Sequence, residues 1–343
     1  MTLTEIKNLI SSGRYSFLKN DPHLGKHIIL LGLGGSHAYG TNIESSDLDL
    51  RGCALNSKQE LLTNVSFEQF ANSETDTTIF AFNKLLHLLS NCNPNVIEML
   101  GLKQEHYLYL SDIGKELLAN KSMFLSKKAI HSFGGYATAQ LRRLDNKAVR
   151  LVDQAQREKH ILNSINNASY DFKSKYFPFD DQSSIKLYID DAVNEEYDKE
   201  IFMDVVLRHY PLRDYKSMWS EMQNIVRDYS KIGSRNTKAI EHGKLAKHMM
   251  HLIRLYLMCF DILEKGEIIT YRDSEHDELM AIRNGKYLDE NMQPTQEFFE
   301  IVDEYEKRLD YDKTNTDLPD NPDYKRINEF MMSVNERIVK GEV

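Results

Sequence analysis

The chain has few cysteines and no long apolar run. Its three cysteines, Cys53, Cys92 and Cys259, are scattered through 343 residues, and no pair has the spacing of a zinc site. Cys53 and Cys259 lie in apolar runs, which predicts buried thiols and a reducing, cytoplasmic setting. No stretch approaches the roughly 20 apolar residues that a membrane span requires. The first seven residues are typical of an amphipathic helix and lack a secretory pattern. These absences argue against disulfide scaffolds and membrane proteins.

The chain also lacks an excess of positive charge. A formal charge of -9 argues against a protein that coats nucleic acid non-specifically. The charge is nevertheless uneven: residues 121–160 carry nine Lys and Arg against three acids, and residues 286–320 carry four against eleven. The first segment could line a basic groove, and each excess could equally be a solvated helix face.

A glycine-serine turn and a pair of aspartates are the most informative features. Residues 27–33 predict a buried strand, and the turn Gly34-Gly35-Ser36 follows it directly. Its backbone N–H groups and the serine hydroxyl could bind triphosphate oxygens. Asp47 and Asp49 then alternate with leucines, so on a strand both carboxylates would share one face about 6.6 Å apart. Carboxylates beside a phosphate-binding turn are what Mg²⁺-assisted phosphoryl or nucleotidyl transfer requires.

The combination of Gly35-Ser36, ten further residues and Asp47-Leu48-Asp49-Leu50 resembles the core motif of the polymerase-beta-type nucleotidyltransferase superfamily. The fuller run to Gly52 is similar to one branch, the RNA-repair-pathway polymerase-beta family. Further segments that fit this branch are residues 93–100, 132–137, 247–254 and 281–285. The resemblance implies a third carboxylate on a neighbouring strand, for which Asp76 is the best match and Glu74 the alternative. Asp47, Asp49 and Asp76 would then be both catalytic and metal-binding residues.

Cationic and aromatic residues extend the predicted nucleotide site. Arg51 falls on the same strand face as Asp49, where it could contact phosphate or form a structural ion pair. Tyr39 could stack on a base or ribose, or pack within its loop. A helix predicted over Lys238–Lys265 carries cations at spacings of three and four, which places them on one face. The residues of that face assigned here to the nucleotide are Lys247, His248, His251 and Arg254.

A second cationic group could bind the acceptor. Its members are Lys127, Lys128, Tyr136, Arg142 and Arg143. An aromatic ring among cations is typical of grooves on which bases stack. A solvated helix face would give the same pattern.

The order of elements predicts an α+β protein. Residues 1–120 are interpreted as a nucleotidyltransferase catalytic domain with a small mixed sheet. Residues 121–343 are interpreted as an α-helical bundle that completes the nucleotide and acceptor cleft. Within it, Tyr170–Tyr188 reads as a loop, and Asp204–Ile232 reads as a helix.

The predicted activity is transfer of a nucleoside monophosphate from a nucleoside triphosphate to a hydroxyl, with release of pyrophosphate. Two Mg²⁺ or Mn²⁺ ions are expected at the three aspartates. By the resemblance, the acceptor is an RNA or tRNA 3′ end. Transfer to a protein side chain or small molecule remains open, as does a non-catalytic nucleotide or RNA sensor with the same fold.

Overall fold

The computed structural model describes residues 1–137, 184–191, 199–233, 243–290 and 292–343. Two compact units can be distinguished: residues 1–141, 246–287 and 295–343 form the first, and residues 142–245 and 288–294 form the second. In the described part of the chain, no helix is both long and apolar enough to cross a membrane.

A five-stranded mixed sheet lies at the centre of the first unit, as predicted. Its strands are β1 (Ile28–Leu33), β2 (Leu50–Ala54), β3 (Gln69–Asn72), β4 (Thr77–Ala81) and β5 (Tyr107–Leu110), in the order β3-β4-β2-β1-β5. Strand β2 runs parallel to β4 and antiparallel to β1. The parallel pair requires a crossover, which residues 55–76 supply through a helix and the edge strand β3. Every residue of β1 is buried, which agrees with its continuous apolar sequence.

Short helices surround the sheet. Those before residue 138 are α1 (Leu3–Ile10), α2 (Phe17–Asn20), α3 (Gly35–Tyr39), α4 (Lys58–Leu62), α5 (Phe82–Leu89), α6 (Pro94–Ile97), α7 (Asp112–Ala119) and α8 (128–137). Helix α5 buries Phe82, Leu85, Leu86 and Leu89 at amphipathic spacing. Pro94 stands in the first turn of α6 after the capping residue Asn93, as the sequence predicted.

The C-terminal helices α10 (Gly243–Phe260), α11 (His276–Arg283), α12 (Gln296–Asn315) and α13 (Tyr324–Lys340) follow, with a π-helical turn at Asp261–Lys265. Residues 246–260 of α10 and all of the other three lie in the first unit, with the sheet. Arg337 of α13 makes a two-pronged ion pair with Glu116 of α7, at 3.0 and 2.7 Å. A separate C-terminal helical bundle is therefore not confirmed. The predicted domain boundary after residue 120 stays a prediction, because spatial proximity does not show which segments fold independently.

The second unit contains a β-hairpin that the sequence reasoning missed. Strands β6 (Ser184–Asp191) and β7 (Lys199–Val206) pair antiparallel, and α9 (Leu212–Gly233) follows. Residues 184–188 are therefore strand where a loop was predicted, and Asp204 lies in a strand where a helix was predicted. The strand β7 was missed because its apolar residues do not strictly alternate and because Glu200 and Asp204 are residues that strands disfavour.

Candidate active site at the start of two parallel strands

The chain turns sharply between β1 and α3, next to the aspartate pair. Gly34 N donates a hydrogen bond to the carbonyl oxygen of Asp49, at 2.8 Å. Gly35 has a φ of +53°, and a Cβ atom there would lie 1.8 Å from Asp49 Oδ2. Position 35 therefore requires glycine for two reasons: the left-handed backbone conformation disfavours other residues, and there is no space for a side chain. Ser36, the next residue, is buried in α3. The turn and the Asp49 carboxylate are thus in direct contact.

Asp47 and Asp49 lie immediately before β2, which begins at Leu50. The prediction that both aspartates belong to the strand was wrong in this respect. The predicted alternation is nevertheless present: Asp47 is exposed, Leu48 is buried, Asp49 is half-buried and Leu50 is buried. The two leucines fix the segment in the core, so the carboxylates between them are directed away from it.

Asp76 lies beside Asp49 because of the parallel register. Leu50 pairs with Thr77, so the residues that precede them are also neighbours, and Leu50 N donates to Asp76 O at 3.1 Å. Burial raises the pKa of Asp49; the Arg51 guanidinium opposes this, and the charges of Asp76 and Asp47 add to it. The structure thus brings the three predicted carboxylates into one electrostatic neighbourhood. The alternative, Glu74, is exposed, and its carbonyl oxygen accepts a bond from Arg14.

Arg51 links the two strand starts. Its Nη1 donates to Asp76 O at 2.6 Å, and its Nη2 lies 3.7 Å from Asp49 Oδ1. This position is compatible with both alternatives that the sequence left open for Arg51, a contact with phosphate and a structural ion pair. The guanidinium offsets part of the repulsion between these carboxylates.

Helix α10 places a cationic face toward these acids. Lys247, His251 and Arg254 recur at spacings of four and three, so they share one face. The charge of Lys247 opposes the rise that burial causes in the pKa of Asp49. Burial, together with Arg254, Lys247, His248 and Arg283, lowers the pKa of His251 to about 2. The His251 imidazole is therefore neutral at physiological pH.

Arg254 of this face lies over the ring of Tyr39, which, like Glu98, is buried. The guanidinium carbon of Arg254 is 3.5 Å from the centre of the Tyr39 ring. The Tyr39 hydroxyl donates to Glu98 Oε2 at 2.6 Å. Burial raises the pKa of Glu98, and Arg254 opposes that effect. Tyr39 is only 2% exposed, so the alternative of a packed tyrosine agrees with the structure, and base stacking requires a surface that this ring does not offer.

Sequence reasoning gave no role to Arg283, which holds the loop before Asp47. Its Nη1 donates to Thr41 O at 2.6 Å and its Nη2 donates to Ser46 Oγ at 3.3 Å. Ser46 Oγ also accepts from Ile43 N at 2.8 Å. Arg283 thereby ties both ends of the 41–46 loop to α11. The only signal in the sequence was that residues 281–285 fit the family pattern.

The residues assigned to the acceptor have other partners where they are described. Lys127 Nζ lies 3.1 Å from Asp320 Oδ1. Lys128 Nζ donates to the Tyr324 hydroxyl and, at 3.3 Å, to Asn91 Oδ1. The Tyr136 hydroxyl accepts a bond of 2.7 Å from Asn95 Nδ2. Arg142 and Arg143 lie outside the described residues.

Carboxylate oxygens are suitable ligands for the hard Mg²⁺ ion that the family implies. Among the residues that the structure describes, however, no group of three or more His, Cys, Asp or Glu side chains is arranged as a metal site. Asp47, Asp49 and Asp76 therefore provide the right donor chemistry without forming an assembled site. Burial is the main cause of the raised pKa of Asp49, and the charges of Asp76 and Asp47 add to it; a bound cation would relieve that repulsion.

Residues 15–163 match the model of the RNA repair pathway DNA polymerase beta family. Over these residues the resemblance recognised in the sequence is confirmed, and the matched segment holds the glycine turn, all three aspartates and Glu98. Comparison with curated proteins and with solved structures found no match. The family supports a nucleotidyltransferase-type function, and α10 and α11 lie beyond the matched segment.

Proposed function

We propose that the protein is a metal-dependent nucleotidyltransferase. It moves a nucleoside monophosphate from a nucleoside triphosphate to an acceptor hydroxyl and releases pyrophosphate. The observation that carries this proposal is the position of Asp49: it adjoins Asp76 across two parallel strands, touches the Gly35 turn and is acted on by the charge of Lys247 in α10. A structural role alone gives no reason to gather acids around a partly buried carboxylate, because their repulsion is unfavourable.

Each residue has a role in this proposal. Asp47, Asp49 and Asp76 would hold Mg²⁺ or Mn²⁺, up to two ions, which would neutralise phosphate charge and lower the pKa of the acceptor hydroxyl. The Gly34-Gly35-Ser36 turn would direct N–H groups at the triphosphate. The cations for the phosphates would be Arg51, Lys247 and Arg254, with His248 and the neutral His251 as further polar contacts. Positioning and charge neutralisation supply most of the rate in such transfers.

For the acceptor, we propose an RNA or tRNA 3′ end. The support is the family description, which names an RNA repair pathway. Since Lys127 and Lys128 already have acidic or hydroxyl partners, the phosphate backbone would have to displace these contacts. Transfer to a protein side chain or small molecule, and a non-catalytic sensor, are the competing proposals.

Labelled nucleoside triphosphates distinguish these acceptors. The protein is incubated with each triphosphate and Mg²⁺, together with total RNA, with protein extract or with small metabolites. Label in the RNA fraction supports the proposed acceptor, and label in protein supports the competing one. If no fraction gains label while triphosphate binding is intact, the sensor is favoured.

A single substitution tests the site. Asp49→Asn keeps the size of the side chain and removes a metal-binding charge, so the transfer rate should fall by at least about 100-fold. Asp303→Asn makes the same chemical change at an exposed position of α12 and should leave the rate unchanged. Wild-type activity in folded Asp49→Asn protein would exclude this site.

A further inference from the structure

Arg254 is a half-buried cation, two of whose donors are unpaired. Its Nε and Nη1 atoms are inaccessible to solvent and have no hydrogen-bond partner. Buried polar groups are nearly always paired, and charged ones most of all. Among the described ion pairs there is none between Arg254 and Glu98, although the charge of Arg254 opposes the rise that burial causes in the pKa of Glu98. Two donors of this guanidinium therefore have no acceptor in the structure.

The arginine is also held in place. The guanidinium carbon lies 3.5 Å from the centre of the Tyr39 ring, which is a favourable cation–π contact. Tyr39 is fixed in turn by the 2.6 Å hydrogen bond to Glu98. Glu98 is anchored through its backbone, because the Thr270 hydroxyl donates to Glu98 O at 2.7 Å. The planar fork is thus pre-organised, so little entropy is lost when it binds a ligand.

The surroundings select an anion. Lys247, His251 and Arg254 share one face of α10, and, besides burial, the charges of Arg254, Lys247 and Arg283 lower the pKa of His251. The acids near this point are Glu98, which is committed to Tyr39, and Asp49, which faces Arg51. A guanidinium can donate two parallel hydrogen bonds to one phosphate group, which is why it recognises phosphate more specifically than a lysine ammonium does.

We infer that Arg254, positioned by Tyr39 and Glu98, binds the polyphosphate of the substrate directly. This binding requires no metal ion. This inference rests on the proposed function for the identity of the anion. Arg254 contacts the phosphate directly. Tyr39 and Glu98 are positioning residues that act through it.

The test is binding of inorganic triphosphate in the presence of a chelator, measured by calorimetry on the full chain. Wild-type protein should bind, and Arg254→Gln should weaken binding by at least roughly 30-fold. Arg254→Lys keeps the positive charge but loses the two-pronged guanidinium, so its affinity should lie between those of wild type and Arg254→Gln. It replaces the glutamine variant in the test if that variant does not fold. Arg326→Gln removes an exposed arginine of α13 and should bind as wild type does.

A double-mutant cycle tests the positioning. Tyr39→Phe retains the ring and loses the bond to Glu98, and should weaken binding roughly 3-fold to 10-fold. In the Arg254→Gln background the same change should have no further effect, because Tyr39 acts only through the arginine. Equal effects in both backgrounds would show that Tyr39 has a structural role alone.

Asp49→Asn separates this inference from the proposed function. That variant should lose transfer activity yet bind triphosphate without metal as tightly as wild type or more so, because a nearby negative charge is gone. If wild-type protein shows no transfer activity but binds triphosphate through Arg254, the inference stands and the proposed function fails. Metal-free binding that is absent, or equal in wild type and both Arg254 variants, overturns the inference.

Discussion

Gly35→Ala should disable the site by displacing Asp49. The added Cβ would lie 1.8 Å from Asp49 Oδ2 and 2.7 Å from its Cγ, whereas carbon atoms in contact are normally about 3.5–4.0 Å apart. The carboxylate must therefore move by an ångström or more. A shift of that size in a reacting group can reduce the rate about 100-fold.

The same substitution also affects stability, by two separable amounts. The backbone of Gly35 is left-handed, with a φ of +53°, which costs about 1–2 kcal/mol for alanine. Overpacking against Asp49 adds about 1–3 kcal/mol. The free energy of unfolding should therefore fall by about 2–5 kcal/mol.

Gly266→Ala is the matched control. Gly266 has a φ of +65°, and its Cβ would meet nothing within 4 Å. It should therefore lose only the backbone contribution of about 1–2 kcal/mol and keep full transfer activity. Urea denaturation measures the stabilities, and transfer of labelled nucleotide measures the activities. If both variants keep the same transfer activity, the contact between the turn and Asp49 does not contribute to the reaction.

Three further outcomes are expected. Arg283→Gln should lower transfer activity about 10-fold by releasing the loop before Asp47, and a fully active variant would contradict this. Burial raises the pKa of Asp312 to about 6, so the folded state binds the extra proton and stability falls as pH rises from about 4 to 6. The difference in melting temperature between Asp312→Asn and wild type should therefore grow as the pH rises from about 4 to 6. A difference that does not change with pH would contradict this prediction. Burial raises the pKa of all three cysteines, so a thiol reagent should label them only after unfolding.

Local patterns were sufficient for much of the sheet and for the acids. The apolar run at residues 27–33 predicted β1, and alternation around Asp47 and Asp49 predicted which side chains leave the core. The predicted burial of Cys53 and Cys259 is confirmed. These features follow from hydrophobic periodicity, which is a property of neighbouring residues.

Other predictions depended on contacts between distant residues. Lys127 and Lys128 read as part of a basic groove, yet Asp320 and Tyr324, almost 200 residues away, are their partners. The hairpin of β6 and β7 was missed because acidic residues, which strands disfavour, lie in both strands. A contact between residues so far apart in the chain, such as that of Lys127 with Asp320, cannot be predicted from the local sequence.

The sequence by itself determined the chemistry of this protein: a glycine turn, two aspartates at a fixed spacing and a cationic helix, each encoded within a few residues. Only the tertiary structure decided how they meet. The parallel register sets Asp76 beside Asp49, and packing seats Arg254 on Tyr39 across more than 200 residues of chain. The physical reason is that periodicity fixes which face of an element is buried, whereas strand register and side-chain packing fix which buried faces touch.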